Sequence, residues 1–212
     1  MGSRGDDVDG ANWIAPAIAL LIGYLAGSIP FGVLLVRLAG AGDLRAIGSG
    51  NIGATNVLRT GRKGLAVATL VLDAAKGAVA VLLVSRLWPH SELVSDEMIA
   101  AAGGAFLGHL YPVWLRFQGG KGVATYLGLA LAMHWPCGVV FAAVWISALL
   151  ITRFSSVGGM SAAVMAPVTA ALYGLFSLAI LFLVFTLLLL WKHRSNLERL
   201  LAGTEPRVGS GG

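Results

Sequence analysis

The sequence predicts an all-α integral membrane protein with seven transmembrane helices, the amino terminus outside, the carboxyl terminus inside, and a short fourth helix. Three observations carry this. Hydrophobic residues make up 57% of the 212-residue chain and charged residues 12%, and the mean hydropathy of +0.82 implies more apolar surface than a water-soluble domain of this size can hide. The apolar residues fall into seven runs. The 15 Lys and Arg lie almost entirely between those runs, and mostly in alternate loops, which puts them on one side of the membrane as the positive-inside rule requires.

The first ten residues carry Asp6, Asp7 and Asp9 and lack the basic n-region of a signal peptide, so run 13–38 reads as a retained helix. Further runs cover 65–87, 98–115, 123–133, 136–151, 157–173 and 175–191. A helix rises about 1.5 Å per residue and needs about 20 residues for a full crossing. The fourth run is too short to cross without tilt, protein cover or a water-filled opening. Charge parity decides that it still counts. With seven crossings, Arg37, Arg45, Arg59, Arg62, Lys63, Arg116, Lys121, Arg153, Lys192, Arg194, Arg199 and Arg207 share one side, and only Arg4 and Arg86 fall on the other. Fusing the fourth and fifth runs into one helix broken at Pro136 moves the last three basic clusters across and erases most of the asymmetry. Residues 1–208 read as a single domain, and the closing 209–212 resembles a linker scar.

Lys76 lies inside the second run with Asp73 three residues earlier, one helical face apart by less than a turn, so the two can pair. Charges at that depth face a bundle interior. They lie too deep for a polar substrate entering from the cytoplasm, and the pair reads as a structural lock on helix packing. Cys137, the one cysteine, lies in an apolar run; it excludes an internal disulfide and every multi-cysteine metal site, and reads as a small buried hydrophobe.

The chemistry gathers in the polar segments. In the first loop, Gly48, Gly50 and Gly53 permit close backbone approach, so that successive N–H groups can form an anion-binding nest. Ser49, Asn51, Thr55 and Asn56 add short donors, and Arg45 and Arg59 add charge. The second loop carries Gly119, Gly120, Lys121 and Gly122 ahead of Thr125 and resembles a phosphate loop in its physics: a nest-like run of open N–H groups, one mobile lysine, and a short helix whose amino terminus presents a positive dipole end. It is not a Walker A sequence, and no strand precedes it, so ATP hydrolysis is poorly supported. A third loop offers Arg153, Ser155 and Ser156. After the last run, His193 and Asn196 are three apart and share a helical face. All four clusters fall on the side assigned to the cytoplasm, which points to a multiply anionic, phosphorylated ligand. A transporter would place such groups near the midplane, often in repeated halves, and no internal repeat is visible. The spacing of the basic residues between apolar runs argues against nucleic acid.

The segments GSIPFG at 27–32, DLRAIGSGNIGATNVLR at 43–59, LDAAKG at 72–77, GHLYPVWLRFQGGKGVAT at 108–125 and KHRSNLERLLAGTE at 192–205 resemble the PlsY family nearly end to end. The resemblance implies an acyltransferase of the bacterial inner membrane, multi-pass, with its active site facing the cytoplasm, that moves an acyl chain from acyl phosphate to sn-glycerol 3-phosphate in phospholipid synthesis. It implies independence from coenzyme A and acyl carrier protein; the His-x-x-x-x-Asp pair of soluble glycerophosphate acyltransferases is indeed absent, since none of the four histidines has Asp five residues later. Carried over by position, Ser49 and Arg45 become essential residues with Asn51, Thr55 and Asn56 lining their pocket, Lys121 with its glycines holds phosphate, His193 and Asn196 act on the substrates, Arg153 and Ser156 match a short R-aromatic-x-S loop, and Glu198 matches a structural glutamate. Acyl phosphate is already activated, so positioning and charge stabilisation suffice. Direct transfer, with Ser49 a phosphate donor rather than a nucleophile, is simpler than an acyl-serine. No cluster of His, Cys and carboxylate has ligand spacing, so no metal or other cofactor is expected. The expected partners are the two substrates, membrane lipid, and an acyl-phosphate-producing enzyme through functional coupling.

Overall fold

The computed structural model describes residues 13–90 and 93–209. Arg4 and the aspartates of the first ten residues lie outside these, as does the end of the 209–212 segment. The described residues form ten α-helices and two short 3₁₀ turns, with no strand among them. In chain order the helices are α1 (Ile14–Gly27), α2 (Phe31–Leu38), α3 (Ala54–Leu58), α4 (Lys63–Leu87), α5 (Asp96–Leu110), α6 (Val123–Met133), α7 (Trp135–Thr152), α8 (Ser155–Leu172), α9 (Phe176–Lys192) and α10 (Arg194–Leu201).

All seven apolar runs are helical, but not all as single long rods. Five helical segments are long and apolar enough to cross a bilayer: Ile14–Leu38, Lys63–Leu87, Asp96–Leu115, Trp135–Thr152 and Ser155–Leu172. A sixth arises if α9 and α10, bent by 57° at His193, count together, and α6, between α5 and α7 in the chain, is a shorter apolar helix. Large apolar side chains point outward along these rods, Ile151 and Leu172 each at 82% exposure, which is the surface expected against lipid rather than water.

The first run is interrupted. Pro30 has no N–H and its ring displaces the preceding residue from helical geometry, so the ladder of α1 ends at Ser28, whose N–H still reaches the Tyr24 carbonyl at 2.9 Å, and Ile29 leaves it before α2. The Ile29 carbonyl, turned out at the break, accepts from Lys76 Nζ at 2.8 Å. Lys76 also meets Asp73 Oδ1 at 2.8 Å, both side chains 3% exposed, so the i, i+3 pair within α4 is formed as the spacing predicts. The pairing of α1 with α5 depends on small residues. A Cβ on Gly23 or Gly27 would run into the backbone of Ala101 or Ala105, and one on Gly104 or Gly108 into that of Leu20 or Tyr24. Lipid tails supply no hydrophobic drive between helices, so this close backbone approach, with its dispersion contacts, supplies the association instead. The centre is an aromatic cluster in which Phe106 stacks on Phe185 at 4.3 Å between centroids and Tyr126 donates to the Phe182 carbonyl at 2.7 Å.

Candidate active site

The first loop is held open by its own small core rather than left as a flexible strap. Leu44, Ile52 and Val57 are buried with Val36 and Ala66. Asn56 braces the turn above them: its amide nitrogen donates to the carbonyls of Leu44 and Ile47, each at 2.9 Å, and its oxygen accepts from Ser49 N at 3.2 Å and Arg59 at 3.3 Å. Gly48 and Gly50 take the left-handed φ values of 53° and 69° that this tight path requires. Asn56 is therefore a brace that sets where Ser49 and Arg59 point, a role its spacing does not disclose. Gly53, with φ −85°, is an ordinary residue before α3.

The second loop folds back onto the end of α5. Gly119 N donates to the Leu110 carbonyl at 3.2 Å and Gly120 N to the His109 carbonyl at 3.0 Å. A Cβ on either glycine would overlap His109, at its carbonyl for Gly119 and at its imidazole for Gly120. The expected nest is thus corrected: these two N–H groups are spent within the protein, and the glycines allow close packing that presents Lys121. Gly122 keeps a positive φ of 92° before α6. Thr125 also departs from expectation. It is fully buried and its hydroxyl donates to the Asp73 carbonyl at 2.9 Å, which ties α6 to α4 instead of reaching a ligand.

Lys121 Nζ meets the Asn196 amide oxygen. Asn196 in turn donates to Glu205 Oε1 at 2.6 Å, Ser156 donates to the same oxygen at 2.7 Å, and Arg199 donates to Oε2 at 2.8 Å. One carboxylate thereby joins α8, α10 and the second loop. Burial pushes the Glu205 carboxyl up, but the hydrogen bonds from Ser156, Asn196 and Arg199 outweigh it and hold the group below the ordinary glutamate range. Burial, reinforced by the neighbouring Arg199 charge, lowers the Lys121 ammonium to about 8. Glu198, expected as the structural glutamate, is exposed on α10, and its side chain makes no hydrogen bond or ion pair among the described residues; Glu205, seven residues on in the same motif, is the one that ties the segment together. His193 lies buried at the α9–α10 bend. Its Nδ1 is 2.8 Å from the Leu189 carbonyl, which can only accept, so Nδ1 carries the proton and Nε2 keeps a free lone pair.

These groups surround one cavity of about 510 Å³. Ser49, Asn51, Gly53, Thr55, Asn56 and Arg59 enter it from the first loop, Lys121 and Gly122 from the second, Ser155 and Ser156 from α8, and His193, Asn196, Arg199 and Glu205 from the carboxyl-terminal segment. Its other wall is apolar: Ala66, Val67 and Leu70 of α4, and Trp145 and Leu149 of α7. Gly48, Gly50, Gly119, Gly120 and Thr125 lie outside the lining, and so do two expected cations. Arg45 turns outward beside Asp43, 3.8 Å away, at 44% side-chain exposure. Arg153 closes α7 in left-handed geometry and clasps the tail, its carbonyl accepting from Val208 N at 2.8 Å and its guanidinium donating to the Val208 carbonyl at 3.2 Å. Asp73 and His109 line the cavity as well, so the α4 ion pair is not beyond the reach of a polar ligand as its sequence position suggests. Lys63, His109, Arg199 and Glu205 are the charged or titratable lining residues to which sequence reasoning gave no site role; His109, Arg199 and Glu205 lie inside motifs already singled out, which was the usable signal.

Residues 17–203 match the model of the glycerol-3-phosphate acyltransferase family. A glycerol-3-phosphate acyltransferase of Brucella anthropi is 54% identical over 194 residues, which cover 92% of this chain and 94% of that protein. Its counterpart in Rhodopseudomonas palustris strain BisB5 is 54% identical over 191 residues, covering 90% of this chain and 95% of the relative. Among solved structures, PlsY (YgiH), an integral membrane glycerol 3-phosphate acyltransferase, matches in its glycerol 3-phosphate form with TM-score 0.86 and 34% identity, over 92% of this chain and 96% of that one. Its lysophosphatidic acid form matches with TM-score 0.83 and 33% identity over the same shares.

Proposed function

The chain belongs to the glycerol-3-phosphate acyltransferase family, a multi-pass integral membrane acyltransferase by that membership and by its apolar helices, and from this premise we propose that it takes its acyl group from acyl phosphate by direct transfer. The observation that carries the proposal is the division of one cavity into a cationic, donor-rich mouth and an apolar wall. A phosphate joined to an acyl chain needs both in one space. The solved relative's glycerol 3-phosphate and lysophosphatidic acid forms support the acceptor and the product.

In the proposed reaction the hydroxyl oxygen of glycerol 3-phosphate attacks the acyl carbonyl carbon, the bond from that carbon to the phosphate oxygen breaks, and phosphate leaves. The hydroxyl proton passes to an oxygen of the departing phosphate, which becomes its conjugate acid. Lys121, Arg59 and the Ser49 hydroxyl stabilise the charge on that phosphate, and Asn196 fixes the Lys121 ammonium. The His193 Nε2 lone pair orients the acceptor hydroxyl. The acyl chain lies along Ala66, Val67, Leu70 and Leu149, and the product leaves sideways into lipid. No metal is required where cations of the chain already face the phosphate. We place the mouth on the cytoplasmic side of the bacterial inner membrane, with seven crossings and the amino terminus outside, which sets it where an acyl-phosphate-producing enzyme can supply the donor. The clustering of Arg59, Lys121, Lys192 and Arg199 at one end of the bundle supports that orientation.

The test is purified protein with palmitoyl phosphate and labelled sn-glycerol 3-phosphate. Lysophosphatidate should form with acyl phosphate, not with acyl-coenzyme A, and should survive EDTA. Ser49→Ala should lower turnover severely, and no acyl-enzyme should accumulate in the parent when acceptor is withheld. Equal rates with acyl-coenzyme A would sink the donor assignment, and a chemically competent acyl-Ser49 would sink direct transfer.

A further inference from the structure

We propose that Asp73 and His109 form the subsite that takes the hydroxyl groups of the polyol phosphate; this rests on the acyltransferase reading above. Both side chains line the cavity and both are almost wholly enclosed, at 3% and 4% exposure. They come from different helices, α4 and α5, and meet beneath the second loop. Gly120 packs against the His109 ring, and Thr125, in the first turn of α6, donates to the Asp73 backbone carbonyl. Lys121, Asp73 and His109 line one cavity, so a ligand anchored by its phosphate at Lys121 can extend its polyol end towards the other two.

Charge decides what this floor can accept. Nearer the mouth, these side-chain amide and carboxylate oxygens lining the cavity are engaged: the Glu205 oxygens by Ser156, Asn196 and Arg199, the Asn196 oxygen by Lys121, and the Asn56 oxygen by Ser49 N and Arg59; the free His193 Nε2 is taken by the attacking hydroxyl, which leaves the middle hydroxyl to be met. Asp73 differs. Its Oδ1 meets Lys76, while its other oxygen accepts no hydrogen bond among the described residues. A carboxylate oxygen left unspent in a phosphate-binding cavity repels phosphate, so the part of the ligand that faces it must be a neutral donor. Glycerol hydroxyls are such donors; the acyl chain offers none. His109 supplies the second observation. Its Nδ1 is one of two buried side-chain polar atoms without a hydrogen-bond partner among the described residues, and it lies 3.8 Å from Asp73 Oδ1, beyond hydrogen-bond reach. Leaving such a group unmade is costly in a dry interior, and a small turn of the imidazole towards a ligand hydroxyl at the same floor would satisfy it. The subsite thus reads the polyol end of the acceptor while the mouth reads its phosphate.

The test compares sn-glycerol 3-phosphate with 1,3-propanediol monophosphate, which lacks the middle hydroxyl, on the full-length protein in detergent with palmitoyl phosphate as donor. In the parent protein, kcat/KM for the propanediol ester should be lower by about tenfold or more, the size of one hydrogen bond to a charged acceptor. His109→Gln and the charge-neutral pair Asp73→Asn with Lys76→Met should shrink that ratio towards one. The pair is chosen because Asp73→Asn alone strands a buried ammonium. Competitive inhibition by inorganic phosphate, which has no hydroxyl arm, should stay unchanged. Equal use of both acceptors by the parent would overturn the proposal without any variant. So would folded variants that keep the ratio, or that change acyl-chain preference instead, which would make this the chain's end stop. A parent that acylates neither acceptor would instead bring down the acyltransferase reading itself.

Discussion

Replacing Glu205 by Gln tests whether one carboxylate organises the site. The side chain is 6% exposed and takes three hydrogen bonds, from Ser156 at 2.7 Å, Asn196 at 2.6 Å and Arg199 at 2.8 Å. In the amide, the oxygen can keep Ser156 and Asn196, but the NH₂ group then faces the Arg199 N–H, donor against donor. A charge-assisted bond contributes about 1.5–3 kcal/mol; because Arg199 is 34% exposed, solvent screening moves its share to the lower part of that range. With some weakening of the other two bonds, the expected cost is about 2–3 kcal/mol. Glu198→Gln, on an exposed side chain without a partner, should stay within about 0.5 kcal/mol. Thermal unfolding in detergent measures both variants, with kcat/KM for glycerol 3-phosphate in parallel, since a loosened Asn196 frees Lys121. The depressed Glu205 pKa adds an acid limb: its contribution is complete above the ordinary glutamate value and is lost as pH falls through the lower folded value. Equal effects of the two substitutions, or a silent Glu205→Gln, would refute the reasoning.

Arg59→Ala should cut kcat/KM at least about tenfold by removing a cation at the phosphate, whereas Arg45→Ala, beside Asp43 at the surface, should change it little; the reverse order would return Arg45 to the site. Because Lys121 titrates near 8 and only its charged form attracts phosphate, kcat/KM should fall as pH rises through that value. In Lys121→Arg the fall should vanish, at reduced activity, because a guanidinium stays charged but is not a compact ammonium. Gly119→Ala should cost about 2 kcal/mol or more, since its Cβ meets backbone, against little for Gly64→Ala, whose Cβ meets nothing within 4 Å; stability measurements that fail to separate them would contradict the close packing. Single cysteines near Lys121, Arg153 and Arg199 in a Cys137→Ala background should label from the cytoplasm alone, and one at Leu93 from outside; labelling of the Arg153 position from outside would break the seven-crossing topology.

Helical runs, the short α6 and the polar loops were legible because each depends on local composition: runs of apolar residues, and glycines among short donors. What stayed hidden depends on long-range approach. Asn56 looks like a ligand donor until the loop closes on it, and Gly119 and Gly120 look like a nest until α5 comes within contact. Arg45 and Arg59 flank the same glycines in sequence; which one faces inward is decided by the small core under the loop. Glu198 and Glu205 share a motif, and only the turn after α10 brings the second back to Arg199. The interruption at Ser28–Pro30 could be anticipated from proline alone, but not the lysine that answers it.

That lysine bears on how the chain enters the membrane. As synthesis delivers the first span, the Ile29 carbonyl has left the helical ladder and holds only the tight-turn contact from Phe31 N at 3.1 Å, which leaves one lone pair to be met in surroundings where an under-satisfied acceptor is costly. Its partner, Lys76 Nζ, emerges only with the second span, and arrives already neutralised by Asp73 on the same helix, which makes a doubly charged segment far cheaper to pass into lipid than either ion alone. The two spans are therefore expected to leave the insertion machinery as a hairpin, the first waiting at its edge for the second. A chain truncated before α4 should integrate poorly in a translocon assay, extension through Lys76 should restore it, and Lys76→Leu should not.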